Sequence, residues 1–84
     1  MMTFLGARLD RSALVLINCR LDGYPAFFHV EPEAIGRFLT VDLQNDSHAA
    51  LLVEEQWTRF APIFEKLINK HGNDFVATAA MLGL

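Results

Sequence analysis

The chain lacks the features that mark several large classes of protein. Its one cysteine, Cys19, has no second cysteine with which to form an intrachain disulfide. The seven lysines and arginines are scattered and the formal net charge is −3, so a phosphate-binding track for nucleic acid is not expected. No apolar stretch approaches the length of a membrane span, and the first residues are not typical of an export signal. These absences predict a cytoplasmic protein with no nucleic-acid partner and no membrane partner.

The residues that are present have the composition of one small folded domain. Hydrophobic residues make up 52% of the chain and charged residues 20%, which is typical of globular proteins. A length of 84 residues predicts a single domain over residues 1–84, near the lower limit for one hydrophobic core. Such a chain buries only about 60–65% of its unfolded surface, so a second subunit would add stability.

Residues 12–30 form the stretch around which the rest is organised. An Asp22-Gly23 pair lies between two runs of β-branched and aromatic residues, which predicts a hairpin with a two-residue turn. Opposite residues would then pair as Leu21 with Tyr24, Cys19 with Ala26, Ile17 with Phe28 and Val15 with Val30. All of these side chains share one apolar face, which makes Cys19 a small core residue.

A third strand is expected from residues 1–9, antiparallel to residues 13–20. The segment from Tyr24 to Val30 would then be the sheet edge, where the missing N–H of Pro25 faces away from the partner strand. The predicted fold class is therefore α+β: a small antiparallel sheet of two or three strands, built on the hairpin 12–30, with helices packed on one face.

A short helix is predicted after the hairpin. Pro32 suits the first helical position, and the acidic residues around it suit the positive end of the helix dipole. The helix should extend to about Leu39, with Gly36 on its outer side, where glycine weakens it by roughly 1 kcal/mol relative to alanine.

The longest element is predicted to be one helix that begins near Asp46 or Ser47 and ends at Gly72. Apolar residues recur along it at spacings of three and four, so Trp57 should be largely buried against the sheet. Pro62 lies in the middle and predicts a kink. For residues 73–84 a short helix capped by Asp74 is favoured, and a late strand stays open.

Few residues suggest a chemistry. His29 and Glu31 stand two apart on one strand and could hold a metal ion, but no third ligand lies at a fixed spacing. The chain has no glycine-rich phosphate loop, no paired cysteines and no nucleophile elbow. No catalytic residue, resident metal or cofactor is therefore predicted.

The outer face of the hairpin is a more informative feature. It combines apolar with polar side chains, and the candidate interface on it consists of Leu14, Leu16, Phe27 and His29. An apolar patch with a polar rim is either covered by the chain's own C-terminal segment or used against a partner. Both alternatives stay open, and the second predicts a two-fold homodimer, through this face or through the exposed edge at Tyr24–Val30.

Four features in sequence carry a family resemblance. A predicted strand is followed by the turn Leu21-Asp-Gly23, then by a second strand, and then by the helix start Val30-Glu-Pro-Glu-Ala-Ile35. This order resembles the bacterial family named domain of unknown function 1488, and residues 50–70 look like the second helical region of that family. The resemblance implies a fold and a bacterial origin, and the family has no assigned activity.

Together these features predict a small non-catalytic accessory or protein-interaction domain that self-associates. The alternative is a domain that binds a small ligand or a metal through His29 and Glu31. In the first hypothesis His29 is part of a protein interface, and in the second it binds the ligand or metal.

Overall fold

The structure, a computed structural model, describes all of residues 1–84 as an α+β fold with a four-stranded mixed sheet. The strands follow chain order across the sheet, and the helices pack on one face. The elements are β1 (Met2–Leu9), β2 (Val15–Leu21), β3 (Tyr24–Val30), α1 (Pro32–Leu39), α2 (Asp46–Glu55), α3 (Trp57–His71), β4 (Val76–Ala77) and a 3₁₀ turn (Ala80–Leu82).

The predicted hairpin is confirmed together with its register. The cross-strand partners run from Leu21 with Tyr24 to Val15 with Val30, with Asp22 and Gly23 as the turn. Both turn residues have positive φ, as the tight turn between twisted strands requires. The register fixes which side chains point to the core, because a slip of one residue would move all of them to the other face.

The third strand is confirmed as well. β1 pairs antiparallel with β2, from Met2 opposite Leu21 to Leu9 opposite Val15. A bulge lies between Phe4 and Gly6, where Leu5 is the extra residue. β1 thus becomes one edge of the sheet, and β2 is a central strand.

The prediction of two or three antiparallel strands, with β3 at the edge, is wrong in one respect. A fourth strand, β4, pairs parallel to β3 at His29 and Val30. The N–H of His29 donates to the carbonyl of Phe75, and the N–H of Phe27 donates to the side chain of Asn73. These bonds satisfy the outer groups of β3, so the sheet is mixed and β3 is not its free edge.

The favoured helix in residues 73–84 is also wrong, and the strand alternative is correct in part. Asp74 has φ 63° and does not cap a helix; its N–H donates to the carbonyl of Phe27 at 2.9 Å. Helical structure is confined to the 3₁₀ turn at Ala80–Leu82. A strand of two residues is too short to leave a periodic pattern, so tertiary contacts decide this segment.

One hydrophobic core of 18 buried residues lies between the sheet and the helices. Its centre is aromatic: the rings of Phe28 and Phe64 meet edge to face at 4.9 Å, and Phe60 stacks on Phe64 at 5.2 Å. Phe28 comes from β3, whereas both other rings come from α3. The inward face of the hairpin is therefore what the long helix covers, as the sequence pattern indicates.

Helix α1 has the predicted bounds, from Pro32 to Leu39, but Gly36 is not on its outer side. Gly36 is buried, and a β-carbon there would lie 3.1 Å from both the Leu43 side chain and the Val41 carbonyl. The loop after α1 folds back over the helix, since the N–H of Val41 donates to the carbonyl of Gly36 at 2.9 Å. The glycine is thus a close-approach position.

The single kinked helix is wrong, because two helices meet at Gln56. Gln56 leaves the helical region at φ −113° and ψ 28°, while Pro62 is accommodated inside α3. The break lets Trp57 turn toward Phe4, with the two rings 5.0 Å apart. Trp57 is consequently half-buried and not largely buried.

The start of α2 differs from the prediction, whereas the end of α3 agrees with it. Asn45 caps α2, in place of the predicted Asp46 or Ser47. Its side chain accepts a hydrogen bond from the N–H of His48 at 3.0 Å. Gly72 ends α3 with φ 76°, as predicted. No helix is both long enough and apolar enough to cross a membrane.

Candidate functional site

The candidate site is the sheet face that carries no helix, here called the open face. The strand register sets its rows: Leu16 lies between Arg8 and His29, and His29 lies next to Val76. Phe27 is a diagonal neighbour of Leu16, within reach of a large side chain. The open face therefore joins residues from all four strands around His29.

The apolar side chains of the open face are accessible to a partner. Phe27 and Val76 are each 42% exposed, whereas Leu14, Leu16 and His29 are half-buried. None of these residues belongs to the hydrophobic core. The C-terminal segment does not cover them, since Phe75 stacks on the inward Phe28 at 4.9 Å and Leu82 is part of the core.

Charge is divided between the two sides of the open face. Arg8 and Arg20 are exposed on β1 and β2. Glu31 and Asp74 are exposed at the far side, where β3 ends and β4 begins. The exposed arginines therefore lie on the β1–β2 side, where the carboxylate of Asp10 is taken up by His29, and the exposed acidic residues lie on the β3–β4 side.

Asp10 holds the loop that borders this face. Its Oδ1 accepts from the hydroxyl of Ser12 at 2.6 Å and from the backbone N–H groups of Ser12 and Leu14 at 3.0 and 3.3 Å. Its Oδ2 lies 2.6 Å from Nε2 of His29. The carboxylate thus fixes the β1–β2 loop, in which Ala13 has φ 62°, and orients the histidine at the centre of the face.

These hydrogen bonds favour the charged carboxylate. The bond from the Ser12 hydroxyl is the largest cause, and bonds from the N–H groups of Leu14 and Ser12 and from His29 act in the same direction. Together they lower the pKa of Asp10 from 3.8 to about 2, although burial acts in the opposite direction. Asp10 therefore stays ionised at every physiological pH.

The stabilisation that Asp10 provides is expected to depend on pH in a defined window. Because its folded pKa lies below the unfolded value, the contribution is complete above about pH 4 and falls as the pH drops toward 2. The variant Asp10→Asn should therefore have a lower free energy of unfolding than the parent. The difference between the two proteins should be constant from about pH 6 to pH 5 and should shrink toward pH 2. Urea unfolding of both proteins at each pH measures it. An unchanged difference at pH 2 would contradict this role.

The order of groups around Asp10 does not suit nucleophilic catalysis. In a hydrolytic triad the histidine stands between the acid and the nucleophile and takes the proton of the hydroxyl. Here Asp10 stands between Ser12 and His29, so the hydroxyl donates to the carboxylate and not to the imidazole. The arrangement orients a loop and a ring, which is a structural task.

The structure does not bring a metal-binding set together at His29 and Glu31. Nε2 of His29 is engaged by Asp10, and Glu31 is the exposed residue that precedes α1. No group of three or more histidine, cysteine or acidic side chains has the arrangement to hold a metal ion. His29 thus lies with Asp10 at the end of β3, and Glu31 follows this strand without joining them in a set of three ligands.

Cys19 lies on the inward face of β2, as the hairpin pattern predicts. It is buried, and its thiol lies 3.6 Å from the carbonyl of Ala26. Burial raises the pKa of Cys19 to about 11. Since the thiolate is the reactive form, this cysteine is an inert core residue.

Sequence reasoning missed two residues of the site. Asp10 is preceded by a strand and followed by Ser12, a spacing at which aspartate accepts bonds from its own loop, and this pattern was available in the sequence. Val76 enters the face through the parallel pairing of β4, which leaves no local pattern. Comparison with protein-family models, with curated proteins and with solved structures found no match to this chain.

Proposed function

We propose that this protein is a small non-catalytic interaction domain that forms a two-fold homodimer through the open face. The observation that carries the proposal is the exposure of Phe27 and Val76 on a sheet face that no part of the chain covers. A sheet in a protein of this size gains stability when a second layer covers its bare side.

The division of charge supports a second copy as the occupant. A two-fold axis along the strands would set the β1–β2 side of one subunit against the β3–β4 side of the other. Arg8 and Arg20 would then approach the acidic side that holds Glu31 and Asp74. Complementary charges of this kind fix orientation more than they add affinity.

Two substitutions on the open face test the dimer. Leu16→Glu and Phe27→Lys place charge at the contact, so the double variant should be monomeric while the parent sediments as a dimer at high micromolar concentration. Neither side chain belongs to the core, so the circular dichroism spectrum should be unchanged. Analytical ultracentrifugation over a range of concentrations gives the dissociation constants.

Leu51→Glu is the matched control. Leu51 is 52% exposed on α2, which lies on the helical side of the sheet, so this variant should remain a dimer. A parent that sediments as a monomer at high micromolar concentration would refute the proposal. A double variant that unfolds as a monomer would also refute it, because the open face would then stabilise the fold itself.

The remaining hypotheses stay predictions. A domain that binds a small ligand or metal through His29 and Glu31 would be stabilised by that ligand, and a thermal-shift screen that responds in the parent but not in His29→Ala would favour it. The resemblance to the domain of unknown function 1488 family and the cytoplasmic location are likewise predictions.

A further inference from the structure

The outer edge of β1 presents unpaired backbone groups. Because the two-residue turn makes Cys19–Ala26 and Ile17–Phe28 hydrogen-bonded pairs, the residues between them on β2 must bond to β1. On β1 the groups of Gly6 and Arg8 therefore point to β2. Those of Phe4, Ala7 and Leu9 point away from the sheet. The edge thus carries donors and acceptors ready to pair with another strand.

A groove of about 570 Å³ runs beside this edge, between the start of β1 and α3. It is lined by Met2, Trp57, Ala61 and Pro62 on its apolar part and by Thr58, Glu65 and Lys66 on its polar part. Pro62 has no N–H, so the carbonyl of Thr58, which also lines the groove, lacks its usual donor four residues later. The groove therefore offers an apolar part next to an open strand edge.

A second copy of the chain does not fit this groove through its own β1. The side chains of β1 that face the helical layer, Met2, Phe4 and Ala7, already pack against the core of their own subunit. Phe4 in particular is engaged with Trp57 at 5.0 Å. The occupant must have free side chains on that side, which is the case for an isolated extended segment.

Positive charge near the C-terminal end of β1 favours an acidic segment as the occupant. Arg8 and Arg11 are exposed, and neither takes part in an ion pair. A residue of an added strand that lies beside Arg8 on the same face would be within pairing distance of it. Acidic residues at that position would be favoured, most strongly at low salt.

We propose that β1 binds an extended peptide segment of another protein as an added antiparallel strand. The peptide is acidic in its N-terminal half, beside Arg8 and Arg11, and places an apolar side chain of its C-terminal half in the groove between β1 and α3. This is the β-augmentation mode, in which backbone bonds give affinity and a pocket gives specificity. The site goes beyond the proposed dimer, because its backbone bonds are made at the edge of the sheet. Arg8 is the one residue that it shares with the open face.

The bulge at Leu5 fits this role. It interrupts the regular spacing of the outward groups between Phe4 and Ala7, which disfavours long, flat pairing of one edge on another. A short flexible peptide can adapt to it. The edge is thus protected from aggregation while it remains open to a segment of limited length.

Selection from a displayed library of random linear peptides on the full-length protein tests the proposal. The expected consensus has acidic residues followed by apolar residues at alternate positions. A synthetic peptide of that consensus should shift the amide resonances of Phe4, Ala7 and Leu9. N-methylation of the peptide residues that face the groove should weaken binding about tenfold each, whereas N-methylation of the intervening residues should have little effect.

Two protein variants check the two parts of the site. Ala61→Phe fills the groove from a half-buried position outside the core and should weaken binding at least about tenfold, whereas Leu51→Phe, at an exposed position of α2, should not. Arg11→Glu, in the β1–β2 loop and not among the residues used by the proposed dimer, should weaken binding of the acidic peptide about fivefold. Unfolding curves of each variant confirm that it is folded.

Three results would overturn the proposal. They are a selection that enriches no peptide, a consensus peptide that shifts the resonances of the open face instead of β1, and equal effects of N-methylation at both sets of positions. Loss of the proposed dimer is measured separately by sedimentation. A failure of the edge site therefore leaves the open-face result readable, and the reverse holds as well.

Discussion

Replacing Phe28 with alanine is expected to lower the free energy of unfolding by about 3–5 kcal/mol. Phe28 is fully buried and joins three parts of the fold, because its ring meets Phe64 of α3 and stacks on Phe75 of the C-terminal segment. Truncation leaves a cavity between elements that are far apart in sequence. A small domain has roughly 5–10 kcal/mol in total, so the variant should be close to unfolding.

Phe27→Ala is the control that makes this prediction specific. Phe27 is the same residue type one position earlier, but it is 42% exposed on the open face. Its removal should change the unfolding free energy of the monomer by less than about 1 kcal/mol, and it should weaken the proposed dimer. Urea unfolding of both variants at the same low protein concentration measures the difference. Equal losses would mean that the sheet has no open face.

The contrast between these neighbours shows how much a local pattern can determine. In the hairpin, the turn pair Asp22-Gly23 and the alternation of apolar residues are enough to fix register, faces and the burial of Cys19. The first helix is similarly determined, since Pro32 begins it where the strand ends. These elements depend on residues that are adjacent in sequence, and so they are predictable from it.

The parts that could not be predicted depend on contacts between distant residues. β4 exists because the backbone of residues 74–77 meets the edge of β3, and two residues carry no periodicity. The break at Gln56 similarly lets Trp57 reach Phe4 on β1, although Pro62 is the stronger local signal. In both cases tertiary packing overrides a local preference.

The same distinction applies to the candidate site. The polar and apolar residues of the outer hairpin face were visible in the sequence as an alternating pattern. The pairing of Asp10 with His29 was not, because the β1–β2 loop brings them together across 19 positions of chain. The segment from Tyr24 to Val30 was predicted to be a free edge, but β4 pairs with it at His29 and Val30, whereas β1 is an edge strand in the prediction and in the structure. A strand of only two residues therefore decides whether one of the two sheet edges is open to a partner.

The second large effect is expected at Gly36. Replacing a helical glycine ordinarily stabilises a protein, since glycine costs about 1 kcal/mol relative to alanine in a helix interior. At Gly36 the space for a side chain is occupied by Leu43 and by the carbonyl of Val41, each 3.1 Å from the position of a β-carbon. Gly36→Val should therefore lower the unfolding free energy by about 1–3 kcal/mol, because the loop after α1 must move away.

Gly6→Val is the matched comparison, at a glycine that has free space for a side chain. No atom lies within 4 Å of a β-carbon built at Gly6, and strands favour valine, so this variant should be as stable as the parent or slightly more stable. Thermal and urea unfolding of the two valine variants measures the contrast. If Gly36→Val were as stable as the parent, the loop 40–45 would not be held against α1. Its hydrogen bond from Val41 to Gly36 would then be too weak to define the end of the helix.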